Sequence, residues 1–232
     1  MNLLVITGGS RGIGRATAQI FKNHGYEIVN LSRSSIDPNL GTQIDADFSR
    51  QDWTHACKEP LVERVKDAEK IVCVHNASVL LKDNIETAAS VFSRVMQTNV
   101  IAAQQLNELL LEHMPQGSSI HYVGSTLSEK AVANTMTYST SKHAILGLMR
   151  ATCQDLAGSG IHTTCVCPGF TDTEMLRDHL GDNQEIVDSI SAMNGFNRLV
   201  QPEEIAETIY FCANNPAMNG SVIHANLGQR EQ

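Results

Sequence analysis

Residues 3–14 read LLVITGGSRGIG, an apolar run that stops at Thr7 and gives way to four glycines in seven positions. A helical pattern opens at Gly14 and continues to His24. Strand, bare turn and helix in that order put unhindered backbone N–H groups at a helix N-terminus, where the macrodipole favours an anion. Without side chains the main chain can also approach a diphosphate closely. The spacing is T-G-x-x-x-G-x-G, and no G-K-S/T follows, which excludes a triphosphate-binding P-loop.

Moving outward, short apolar runs alternate with longer amphipathic ones. NLLVITG, YEIVNLS, KIVCVHNA, SSIHYVGS, IHTTCVCPG and GSVIHANLG read as strands, and GTQIDADFS as a weaker seventh. Helical patterns occupy 14–24, 51–67, 88–114, 138–157 and 202–214; the last begins on Pro202 followed by acidic residues, which suits a first helical turn. Strands that are apolar throughout, each followed by a helix, predict a doubly wound parallel sheet of about seven strands with helices on both faces. Only about ten residues join Ser32 to Thr42, too few for the usual crossover helix. No repeat or linker breaks the chain, so residues 1–232 are expected to form a single α/β domain. Residues 171–200, rich in Asp, Asn and Gly, are its least regular part, a substrate-site flap or a pair of surface helices.

The chain has 232 residues, 42% hydrophobic and 18% charged, with a formal charge of −8, as expected of one globular domain. An acidic balance with no basic run argues against nucleic acid, and the short apolar start argues against a signal peptide or membrane span. The six cysteines form no C-x-x-C pair and the nine histidines no metal-binding spacing. Buried thiols, a cytoplasmic location and no metal site are therefore expected.

TYSTSKHAILG, residues 137–147, carries a phenol and an ammonium four positions apart, Tyr138 and Lys142, on one face of a helical pattern. One cation at ~4 Å and an effective dielectric of ~20 stabilises a phenolate by up to about 4 kcal/mol, enough to bring a phenol towards neutral pH. Such a phenol could pass a proton to and from an alcohol. A chance Y-x-x-x-K means little alone, but here it stands behind the glycine turn with Ser125 thirteen positions upstream. TGGSRGIG, this serine and Y-x-x-x-K together resemble the short-chain dehydrogenase/reductase family, with the Rossmann-like fold and hydride-transfer chemistry which that implies. The resemblance runs from Leu3 to Gly228.

The resemblance implies that Tyr138 is the proton donor and acceptor and that Lys142 assists it while holding the nicotinamide ribose. Ser125 would polarise the substrate carbonyl, and Asn99 would hold a water that links Lys142 to solvent. Gly124 replaces the first serine of the family's usual pair. For the dinucleotide, the turn supplies Gly8, Ser10, Arg11, Gly12, Ile13 and Gly14. Asp47 is assigned to the adenine, Asn76 to the loop beneath the adenosine, and Pro168, Gly169, Thr171 and Thr173 to the nicotinamide and its phosphate. His75 and Ser78, in HNAS, and the ending HANLG depart from the family pattern.

A carboxylate commonly ends the second strand when the cofactor is NAD(H), holding the ribose 2′-hydroxyl. Ser32 stands at that position and Arg33 follows. With Arg11 in the turn, two guanidinium groups could bracket a 2′-phosphate, so NADP(H) is expected over NAD(H).

The reading is thus an NADP(H)-dependent oxidoreductase interconverting a small-molecule carbonyl and alcohol. The alternative is a catalytically silent dinucleotide-binding regulator or scaffold of the same fold. Arg177 and Arg198 stand among Glu174, Asp178, Asp182 and Glu185, which disfavours an acidic carrier-bound substrate. The apolar surplus of VIAAQQLNELLLEHM, and the resemblance of its helix and the Tyr138 helix to those that pair in family dimers, suggest a homodimer or homotetramer.

Overall fold

The computed structural model describes residues 1–181 and 183–230; Asp182, one of the acidic residues named above, lies outside them. Seven strands form one parallel sheet: β1 (Asn2–Thr7), β2 (Glu27–Ser32), β3 (Thr42–Asp45), β4 (Lys70–His75), β5 (Ser119–Val123), β6 (His162–Pro168) and β7 (Ser221–Ala225). Their order is β3-β2-β1-β4-β5-β6-β7, so the winding reverses between β1 and β4. A crevice opens at such a reversal beyond the carboxyl ends of the strands, where ligands bind in sheets of this kind.

Both faces are covered because the central strands are apolar on both sides. Leu3, Val5, Leu31 and Ile71 point into one core, closed by α2 (Trp53–Val65), α4 (Ala102–Leu110) and α5 (Met136–Asp155). Leu4, Ile6, Ile28 and Val72 point into the other, closed by α1 (Gly12–Asn23) and α8 (Pro202–Ala213). Phe21 joins these last two helices by stacking edge-on against both Tyr26 and Tyr210, with centroids 5.0 and 5.1 Å away. No helix lies between β2 and β3, as the length of that connection predicts.

The helical pattern at 88–114 is not one helix. α3 (Ala89–Met96) passes into a π-helical turn, Gln97–Ile101, before α4 begins, and a 3₁₀ turn follows it. Hydrophobic spacing does not register one extra residue, but a π turn redirects the side chain it carries, here Asn99. Residues 171–200 hold two short helices, α6 (Glu174–Leu180) and α7 (Gln184–Ser191). Thr173 and Asn183 cap them by accepting from the N–H of Leu176 and Ile186, each at 3.3 Å.

Three buried histidines inside the sheet make stability depend on pH, His75 and His121 most strongly and His162 in the same direction. Burial pushes His75 down to about 4 and His121 to about 3; both ring nitrogens of His121 are bonded, to Thr164 and Ser119, whereas His75 is held through Nε2 by Asn107 and its buried Nδ1 has no partner among the described residues. The unfolded chain protonates all three near pH ~6.5. Above that pH they contribute nothing; below it the unfolded state takes up protons that the fold refuses, so stability falls. Urea unfolding followed from about pH 6.5 to about 4 should therefore show stability falling with a slope that reaches about two protons per molecule or more. A flat profile would contradict the buried neutral rings.

Candidate active site

The glycine turn requires its glycines at defined points. Gly8 and Gly12 have φ of +70° and +50°, the left-handed region that side chains disfavour. A Cβ on Gly14 would lie 2.1 Å from the Gly8 carbonyl oxygen and 2.6 Å from Asn76 Nδ2. Asn76 holds this packing by donating to the carbonyls of Thr7 (3.1 Å) and Gly8 (3.0 Å). Thr7 Oγ1 in turn accepts from the N–H of Asn76 and Ala77 at 3.0 and 2.9 Å, tying the carboxyl ends of β1 and β4 together.

All the residues assigned from the sequence to catalysis or cofactor binding line one cavity of about 920 Å³ at this crevice, except Gly14 and Asn99. Gly14 is packed beneath the turn. Asn99 braces the cavity wall from behind: its Oδ1 accepts from Val79 N–H at 2.8 Å, and its Nδ2 donates to Val79 C=O (3.0 Å) and Ser141 Oγ (2.9 Å). Among the described residues it makes no hydrogen bond to Lys142.

At the sheet end of the cavity, Lys142 is 4% exposed and donates from Nζ to the Val123 carbonyl at 2.8 Å. Its ammonium lies 5.3 Å from the centroid of the Tyr138 ring, as their spacing on α5 dictates. No carboxylate pairs with this lysine among the described residues. Ser125 begins a 3₁₀ turn, Thr126–Ser128, and its Oγ accepts from Leu127 N–H at 3.1 Å, which leaves the hydroxyl proton free to donate. Gly124 has no room for the serine of the usual pair. A Cβ there would meet Cys167 Sγ at 2.7 Å, Cys165 Sγ at 2.8 Å and Ser128 Oγ at 2.9 Å.

At the other end, Ser32 donates to the Ser34 carbonyl at 2.6 Å, while Arg11 and Arg33 are exposed on the cavity rim. The Asp47 carboxyl is held below its usual range, chiefly by the Ser49 hydroxyl and secondarily by Arg33 and Arg50. Thr171 is buried and donates to the Gly169 carbonyl at 2.9 Å. Pro168 ends β6, and Thr173, besides capping α6, lies 3.1 Å from the Cβ position of Gly12.

Two residues escaped sequence reasoning, and a third, Ser78, was visible there only as a departure from the family pattern. Asn30, fully buried in β2, accepts the Gly9 N–H at 2.6 Å, and Gln43 on β3 bonds to it in turn. A polar residue in the middle of YEIVNLS was the available signal. Ser78 Oγ is buried on the cavity wall with no hydrogen-bond partner among the described residues. The cavity is also lined by apolar groups, including Leu127, Val132, Met175, Leu176 and Met193. No cluster of three His, Cys, Asp or Glu among the described residues could hold a metal. No helix among them is long and apolar enough to cross a membrane.

A bare turn with backbone at positive φ, a cradle that any Cβ would fill and a cavity of this volume fit a dinucleotide. Comparison with known proteins agrees. A family model described as enoyl-(acyl carrier protein) reductase matches residues 8–230. The acetoacetyl-CoA reductase of Shinella zoogloeoides is 29% identical over 238 residues, covering 97% of both chains. A short chain dehydrogenase family protein from Francisella tularensis superposes with a TM-score of 0.88 at 26% identity, over 98% of each chain. ElxO with NADP bound superposes with a TM-score of 0.85 at 25% identity, over 97% of each chain.

Proposed function

Since the chain belongs to the short-chain dehydrogenase/reductase family, we propose that it is an NADP(H)-dependent oxidoreductase interconverting a carbonyl and an alcohol, with Tyr138 as proton donor and acceptor. The observation that carries this reading is the buried Lys142 ammonium beside the Tyr138 ring, in the same cavity as Ser125 and the glycine turn. The bound dinucleotide supplies the hydride. Gly8, Ser10, Arg11, Gly12 and Ile13 would receive its phosphates, Asp47 and Asn76 its adenosine side, and Pro168, Gly169, Thr171 and Thr173 its nicotinamide side.

The remaining work belongs to the chain. Ser125 donates a hydrogen bond from its hydroxyl to the substrate carbonyl oxygen, keeping its proton, and so favours the charge that develops there. Tyr138 transfers its proton to that oxygen in reduction and takes it back in oxidation. Lys142 stabilises the phenolate between these events, held in place by the Val123 carbonyl. Asn99 fixes Val79 and so keeps the wall opposite in register. The decisive assay follows NADPH consumption with a panel of apolar ketones and 3-oxoacyl thioesters. Failure to turn over any of them, with NADPH bound, would favour the silent regulator instead.

For the cofactor, the exposed guanidinium groups of Arg11 and Arg33 and the absence of an acid at Ser32 support NADP(H). Arg33→Ala should weaken NADPH about tenfold, one charge-assisted hydrogen bond's worth, and leave NADH nearly unchanged. Equal effects on both would reject the assignment. For the substrate, the Arg177 guanidinium is held by both oxygens of Asp172 (2.7 and 2.8 Å) and that of Arg198 by both of Glu204 (2.7 Å each). Neither is offered to an acidic carrier, which supports a free small molecule with an apolar body, covered by residues 171–200.

We also propose a homodimer or homotetramer in the cytoplasm. Ile101 and Leu111, at the two ends of α4, remain 46% and 47% exposed, as befits a face that a second copy covers. Light scattering should return a multiple of the chain mass; a monomer would overturn this.

A further inference from the structure

We infer that Asn30 and Gln43, neither of which lines the cavity, are positioning residues that set the preference for NADPH over NADH; this deepens, and rests on, the NADP(H) reading above. The two are direct partners across β2 and β3, so their side chains stand side by side on one face of the sheet. Asn30 uses its whole amide. Its Oδ1 accepts from Gly9 N–H at 2.6 Å, and its Nδ2 donates to Ser32 Oγ at 2.9 Å and Gln43 Oε1 at 2.7 Å. Gln43 extends the network: its Oε1 also accepts from Ile36 N–H at 3.2 Å, and its Nε2 donates to the Ser32 carbonyl at 2.8 Å. Ser32 Oγ completes it by donating to the Ser34 carbonyl at 2.6 Å.

The loop that carries Arg33 is thereby pinned at Ser32, Ser34 and Ile36, and the same network is anchored to Gly9, two residues before Arg11. A buried amide between apolar strands gains little net stability over a well-packed apolar side chain. What it provides here is a fixed relation between two segments that share no other side-chain bond among the described residues. Arg11 and Arg33 are exposed, long and flexible, so two-handed capture of a phosphate depends on the backbone beneath each being held beforehand. A 2′-phosphate needs both arms. A 2′-hydroxyl needs only what Ser32 offers, so loosening the loop should penalise NADPH selectively.

The test is Gln43→Met on the full chain. Gln43 is half-buried at a strand near the sheet edge, and methionine keeps its length while removing the bonds to Ser32 and Ile36. Dissociation constants for NADPH and NADH are measured by fluorescence titration, with the melting temperature, for wild type, Arg33→Ala and Gln43→Met. The expected result is an NADPH constant raised about tenfold in Gln43→Met, with NADH changed less than twofold. Equal weakening of both cofactors, or an unchanged ratio while Arg33→Ala abolishes the preference, overturns the inference and leaves the NADP(H) reading standing. A wild type that binds NADH as tightly as NADPH overturns that reading, and the inference with it.

Discussion

Tyr138→Phe should lower kcat by about a thousandfold, within the range that a positioned general acid or base contributes, while the NADPH dissociation constant moves less than about threefold. The substitution removes one oxygen and nothing else. The ring keeps its place on α5 and its contact with the Lys142 ammonium at 5.3 Å from the centroid, and no hydrogen bond from the hydroxyl to a described residue is lost. Structural damage is thus a poor explanation for any loss. Stopped-flow measurement of NADPH oxidation at saturating substrate, paired with cofactor titration, separates the two quantities. Full activity in this variant would remove Tyr138 from the chemistry. A parallel loss of cofactor affinity would make it a binding residue.

Gly14→Ala should have the larger effect on the folded state. The added methyl would sit 2.1 Å from the Gly8 carbonyl oxygen, which is backbone and cannot rotate aside. Either the turn or the first residues of α1 must shift, and overpacking of this kind costs about 3 kcal/mol. For a chain of this size that lowers the melting temperature by roughly 6–12 °C. The same displacement disturbs the N–H groups that would meet the diphosphate, so NADPH affinity should fall at least about a hundredfold, or near 3 kcal/mol. Calorimetry and titration of the variant check both figures. An alanine accommodated with unchanged melting and binding would mean that the turn is not packed as described.

The sheet and its cover were legible because each central strand is apolar on both faces and each joins to its neighbour through a run of helical period; where the Ser32–Thr42 connection was too short for a helix, none formed. Tyr138 and Lys142 were legible because four residues along a helix is one turn, and the sheet end of the cavity follows from that geometry. Asn99 was visible as a residue but not in its contacts. Its grip on Val79 depends on a π turn, and apolar periodicity is blind to that. The pairing of Asn30 with Gln43 was invisible for a related reason, although Asn30 itself stood out as a polar residue within its strand. The two lie on separate strands and are polar within them, and only the β2–β3 register brings them together. The unpartnered Ser78 hydroxyl likewise appears only once the wall around it is assembled.

The contact between Asn30 and the first turn has a consequence for chimeras. A Cβ at position 9 would come within 2.8 Å of Asn30 Oδ1, so a larger residue there requires a shorter one at position 30, and the reverse. Grafting the first turn alone from a homologue that carries a side chain at position 9 would import a clash. Transplanted as a pair, the two segments would carry their mutual fit with them.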